Sequence, residues 1–103
     1  WVVMHELHVH GTQNQVSLCE HCAKDAPTIT RIIELLLKKE IVNRDACSED
    51  RRRFNISLSK KGKVLVLKLL PLVIEFRKQG WKNLTDKDIS HLERITKKIQ
   101  ENL

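Results

Sequence analysis

Between Pro27 and Lys39 the apolar residues Ile29, Ile32, Ile33 and Leu36 fall at i, i+3, i+4 and i+7. That spacing places them on one stripe of an α-helix, with polar residues opposite. Upstream, Gly11 and the polar run Thr12-Gln13-Asn14 read as a turn. Asn14 is a natural N-cap for a short helix over 15–23, with Val16, Cys19 and Cys22 on one face. Lys24-Asp25-Ala26-Pro27 breaks that helix, because proline is tolerated only in a helix's first turn. Residues 1–10 suit helix or strand by propensity. Two short helices joined by a tight turn predict a helix-turn-helix.

The period then drops to two. Ile41 to Arg44 is strand-like, and Phe54, Ile56 and Leu58 alternate with Asn55, Ser57 and Ser59. The polar stretch 45–53 between them is too long for a two-residue turn, so the pair reads as a β-hairpin with a protruding charged tip, a wing. From Lys60 to Gln79 the chain is again helical and broadly apolar, with Pro71 expected to kink it and Gly80 to end it. Thr85 and Asp88 have capping-box spacing before a last helix over 86–100, striped by Ile89, Leu92, Ile95 and Ile99. The expected fold is mainly α with a small β-hairpin: a winged helix-turn-helix over 1–62, then C-terminal dimerisation helices over 63–103. The last two helices carry more apolar surface than so small a domain buries. An oligomer interface is the favoured use of it, and packing onto the domain's own core is the alternative.

Composition changes this picture in one respect. The chain has 103 residues, 41% of them hydrophobic, and a net charge of +6. These values suit one globular domain, and no apolar run reaches the ~18 residues of a membrane helix. No secretory signal is visible, and three cysteines make a poor disulfide framework, so a reducing cytoplasm is expected. The charge is uneven. Residues 1–23 hold two acids and no Lys or Arg, whereas 24–63 hold eleven Lys and Arg against six acids. A basic middle suits a nucleic-acid surface or a solvated face.

Candidate catalytic chemistry is sparse. There is no Gly-rich phosphate loop, no paired carboxylates in an apolar setting and no nucleophile with an evident base, so no enzyme and no cofactor are expected. Cys19 and Cys22 have C-x-x-C spacing, but their place on an apolar helical face favours small core residues over a redox pair or half a zinc site. Cys47 lies in the wing. Four of the five histidines, His5, His8, His10 and His21, lie in the first 21 residues, and ordinary part-exposed histidines are favoured over a metal site.

The order of elements resembles the MarR (multiple-antibiotic-resistance regulator) family. Three stretches carry the resemblance in register: Asp25-Ala26-Pro27-Thr28-Ile29-Thr30-Arg31, Glu49-Asp50-Arg51-Arg52, and Leu58-Ser59-Lys60-Lys61-Gly62. It implies a dimeric winged-helix transcription regulator, a ligand- or stress-responsive repressor. Its partners would be a pseudo-palindromic operator in double-stranded DNA, a second copy of the chain and a small-molecule effector, with no membrane and no metal. Helix 27–39 would lie in a major groove, where Thr28 and Thr30 reach phosphate or a thymine methyl and Arg31 pairs with guanine; the helix's N-terminal end would offer free N–H groups to phosphate. The wing would enter the minor groove through Arg52, oriented by Asp50, with Arg51 and Arg53 on phosphates. Lys60 and Lys61 are not assigned, exposed lysines at helix starts being common. Glu40 stands where the family often has glycine, and Leu35 and Leu37 are apolar where polar residues are usual. The family's leading helix has no counterpart, so Trp1 is expected to open an interior helix. A winged-helix protein–protein module, docking through the wing and Leu35/Leu37, is the alternative.

Overall fold

The computed structural model describes residues 1–47, 49 and 52–103. Residues 1–10 resolve their mixed propensity as α1 (Val2–His10), which buries Val3, Met4 and Leu7 and ends on Gly11 at φ 77°. The next polar residues are not simply a turn. Gln13–Asn14 form β1 and pair with a strand far along the chain, Gln13 opposite Ile56 and Asn14 opposite Asn55. Two polar residues carry no periodicity, so nothing local marked them as a strand.

Asn14 also caps α2 (Gln15–His21), its side chain accepting from the Ser17 N–H at 2.9 Å. The buried face of α2 differs from the expected one. Leu18 and Cys22 are buried, Cys19 is half-buried, and Val16 is 59% exposed. Leu18 and Cys22 are four residues apart and meet the core together, which turns Val16 outward. In α3 (Ala26–Lys38) the cap is Asp25, which accepts from the Thr28 N–H at 2.8 Å. Its stripe behaves as its spacing requires, with Ile29, Ile33 and Leu36 buried.

Both helices end in the same way, and neither uses glycine. After α2, the Lys24 N–H reaches the Cys19 carbonyl and the Ala23 N–H the Glu20 carbonyl; after α3, the Ile41 N–H reaches Leu36 and the Glu40 N–H reaches Leu37. These paired bonds form Schellman caps, which need one left-handed residue. Ala23 and Glu40 supply it at φ 51° and 61°. A side chain there is strained, so Glu40→Gly is expected to raise stability by about 0.5–1 kcal/mol, read as a shift of the urea midpoint at constant m. A lower midpoint would mean that the Glu40 side chain does more than its backbone strain takes away.

The hairpin consists of β2 (Val42–Ala46) and β3 (Phe54–Leu58), antiparallel with Arg44 opposite Ile56. With β1 it makes a three-stranded sheet in the order β1-β3-β2. Ile56 and Leu58 enter the core, whereas Phe54, expected on the same face, is largely exposed at the sheet's end. Ser59 then ties three elements together. Its single hydroxyl proton is shared between the Glu40 and Ile41 carbonyls at 2.7 and 2.9 Å, and its oxygen accepts from the Gly62 N–H at 3.0 Å, capping α4 (Lys60–Gly80).

Among the described residues there are five helices and this one sheet. They divide into two compact units, Trp1–Leu70 and Pro71–Leu103. The core lies in the first, where α1, α2, α3, the sheet and Val66 of α4 meet. In the second, α5 (Asp86–Asn102) opens with the expected capping box, Thr85 and Asp88 each bonding the other's backbone N–H at 3.0–3.1 Å. Its stripe stays outside: Leu92, Ile95 and Ile99 are exposed, as are Leu72, Ile74 and Phe76 of α4. No described helix is long and apolar enough to cross a membrane.

Candidate nucleic-acid interface

Burying Ile29, Ile33 and Leu36 turns the opposite side of α3 outward, and Thr30, Arg31, Glu34 and Lys38 are exposed there. Thr28 is half-buried beside the cap. Hydrogen bonds from the Thr28 side chain, and then from its backbone N–H, hold the Asp25 carboxyl below its usual range, so this cap is charged at neutral pH. The expected phosphate site at this end is therefore reduced. Pro27 has no N–H, the Thr28 N–H is taken, and a carboxylate stands where an anion would bind. What α3 presents to a partner is its side chains. Thr30 is already oriented, its Oγ1 accepting a short hydrogen bond from Nε2 of Gln15 at the start of α2.

The wing is fastened to α3. The Arg44 guanidinium on β2 pairs with Glu34 at 2.9 Å and lies over the Phe54 ring at 5.4 Å. One cation thus joins both hairpin strands to the outward side of the helix. The exposed position of Phe54 has its reason here, since its face serves the guanidinium. Beyond it the Cys47 N–H donates to the Arg53 carbonyl at 2.9 Å, extending the ladder. Arg52 and Arg53 are exposed and border a shallow hollow of about 140 Å³ with Asn14, Gln15, Val16 and Phe54. The start of α2 therefore lies between the wing arginines and Thr30. Asp50 and Arg51 lie outside the described residues. Lys61 Nζ donates to the Lys39 carbonyl at 3.1 Å, bracing the end of α3.

Leu35 and Leu37 part company. Leu37 packs on the core, whereas Leu35 is 52% exposed on α3. Cys19 and Cys22 sit as small apolar residues: Cys19 packs against the core and Cys22 is buried in it, and burial, then the Glu6 charge, push the Cys22 thiol up, away from a reactive thiolate. Among the histidines it is His10 and His21 that converge, both on one Glu6 oxygen, at 2.8 and 3.2 Å, with Gln13 alongside. Among the described residues no group of three or more His, Cys, Asp or Glu side chains is arranged to hold a metal ion.

One cavity stands apart. It measures about 570 Å³ and is bordered by Leu7, His8, Thr12, Ser57, Lys63 and Leu67. An apolar floor with one lysine and two hydroxyls suits a small, anionic ligand.

Sequence reasoning missed Gln15 and the Arg44–Glu34 pair. A glutamine in a helix's first turn and an Arg on a strand carry no local signal. Only the fold brings each to its partner.

A sequence model of the MarR family matches residues 1–54. Among solved structures, a probable transcriptional regulator from Pseudomonas aeruginosa is 28% identical, with a TM-score of 0.83 over 96% of this chain and 74% of its own. A mutant MarR from E. coli, complexed with operator DNA, is 24% identical, with a TM-score of 0.86 over 94% and 70%. The PcaV transcriptional regulator from Streptomyces coelicolor, in complex with its natural ligand, is 15% identical, with a TM-score of 0.88 over 97% and 71%.

Proposed function

The chain belongs to the MarR family, and from that premise we propose that it is a sequence-specific, double-stranded DNA-binding transcriptional repressor acting as a homodimer in the cytoplasm. The observation that carries this reading is the Arg44 clamp. By tying the hairpin to the outward side of α3, it favours an arrangement in which helix and wing meet adjacent grooves together. Thr28, Thr30 and Arg31 then face the major groove, with Arg31 matching guanine O6 and N7. Arg52 enters the minor groove, oriented by Asp50, with Arg51 and Arg53 on phosphates.

The exposed stripes of α4 and α5 support the dimer, because apolar surface of this extent needs a cover. Two copies read a pseudo-palindrome, with residues 63–103 as the dimerisation lobe and 1–62 as the DNA-binding lobe. A small anionic effector in the Lys63 cavity would shift the population between spacings of the two recognition helices. No catalytic step is part of this reading.

Selecting bound sequences from random duplex DNA tests it. The wild-type protein is expected to enrich an inverted repeat with A·T-rich flanks. Arg52→Ala keeps the repeat and loses the flanking A·T preference. No enrichment by the wild type at low salt would instead favour a protein–protein module, for which the exposed Leu35 on α3 is the specific argument.

A further inference from the structure

We infer that Gln15 is a positioning residue for base reading by Thr30, an inference that rests on the DNA-binding reading above. Gln15 Nε2 donates to Thr30 Oγ1, joining the first residue of α2 to the outward side of α3. A threonine hydroxyl has one proton and two lone pairs, and in a helix its side chain rotates between two rotamers. The amide occupies one lone pair and holds one rotamer. The hydroxyl proton is thereby directed away from Gln15, toward whatever lies against the exposed side of α3.

The consequence is chemical. Held in this way, Thr30 keeps its proton and its one remaining lone pair in fixed directions, and the directed proton suits a major-groove acceptor such as purine N7, guanine O6 or thymine O4. Released, it rotates between rotamers and that fixed direction is lost. Gln15 also borders the hollow shared with Arg52, Arg53 and Phe54, so the same side chain stands between the wing base and the recognition helix. It acts on the DNA through Thr30.

The test is a double-mutant cycle read as base preference, with selection and binding measured for wild type, Gln15→Ala, Thr30→Val and the double variant. Gln15→Ala and Thr30→Val are each expected to relax the same base pair in each half-site by about 5- to 10-fold, the worth of one hydrogen bond. The double variant should relax it no further. Gln15→Glu keeps the shape but reverses the bond, because its carboxylate accepts the Thr30 proton. It should lose the same preference and also weaken binding to every sequence. Melting temperatures within a few degrees of wild type show that folding is intact; should Gln15→Ala unfold the protein, Gln15→Glu against Thr30→Val completes the cycle.

A uniform loss of affinity with unchanged base preference would reduce Gln15 to a structural brace and overturn the inference. So would relaxation of different base pairs, or additive effects in the double variant, while leaving the DNA-binding reading standing. Failure of the wild type to bind any duplex would remove both.

Discussion

Gly62→Ala is expected to lower stability by roughly 3 kcal/mol, well above the usual effect of one surface methyl group. A Cβ at Gly62 would stand 2.1 Å from the backbone oxygen of Ile41 and 3.2 Å from its Cγ2. No rotamer relieves a clash with backbone. The Ile41 carbonyl cannot retreat freely either, because it accepts from the Ser59 N–H at 3.0 Å and the Ser59 hydroxyl at 2.9 Å. Moving it loosens the cap of α4 and the end of α3 together. Each bond is worth ~1 kcal/mol, and the displaced core residues Ile41 and Val66 add to the loss. Urea unfolding measures this directly. Gly80→Ala is the control, since nothing lies within 4 Å of its Cβ position. If Gly62→Ala and Gly80→Ala unfold at the same midpoint, the close approach of α4 to Ile41 is wrong.

The second large effect is on binding. Raising salt from 50 to 200 mM is expected to weaken operator binding about 10²-fold. Arg51 and Arg53 in two copies would neutralise roughly four phosphates, and each contributes about −0.9 to the slope of log affinity against log salt. Fluorescence anisotropy on a labelled duplex gives that slope. Arg53→Ala should make it shallower by about two, one phosphate per half-site, with little change in base preference. A slope near zero would exclude phosphate neutralisation and favour the protein-docking alternative. The basic stretch of the sequence acquires a definite meaning here: of its eleven cations, Arg44 and Lys61 brace the fold, at Glu34 and at the Lys39 carbonyl. Charge counting alone therefore overstates the footprint.

Much of this protein was legible in one dimension because its signals are local. The i, i+3, i+4, i+7 stripe of α3 decides which side is buried and, by subtraction, that Thr30 and Arg31 face out. Asn14 and the Thr85–Asp88 box mark helix starts, because a cap bonds a backbone group only two or three residues away. Alternation at Ile56 and Leu58 marks the central strand of the sheet.

What the tertiary structure decided involves partners distant along the chain. The strand β1 exists because Gln13 meets Ile56, a pairing to which neither residue's neighbours point. Leu18, not Val16, enters the core, since the choice between adjacent helical faces depends on what α2 meets. Glu40 is held left-handed because two backbone bonds close the end of α3 and the Ser59 hydroxyl reaches back to its carbonyl, which together outweigh the strain of one side chain. The orientation of Thr30 by Gln15 and of the wing by Arg44 arises in the same way, from bonds spanning fifteen and ten residues. Periodicity and capping are written into adjacent residues and determine which elements form. Which polar side chains work together is set only when those elements have packed.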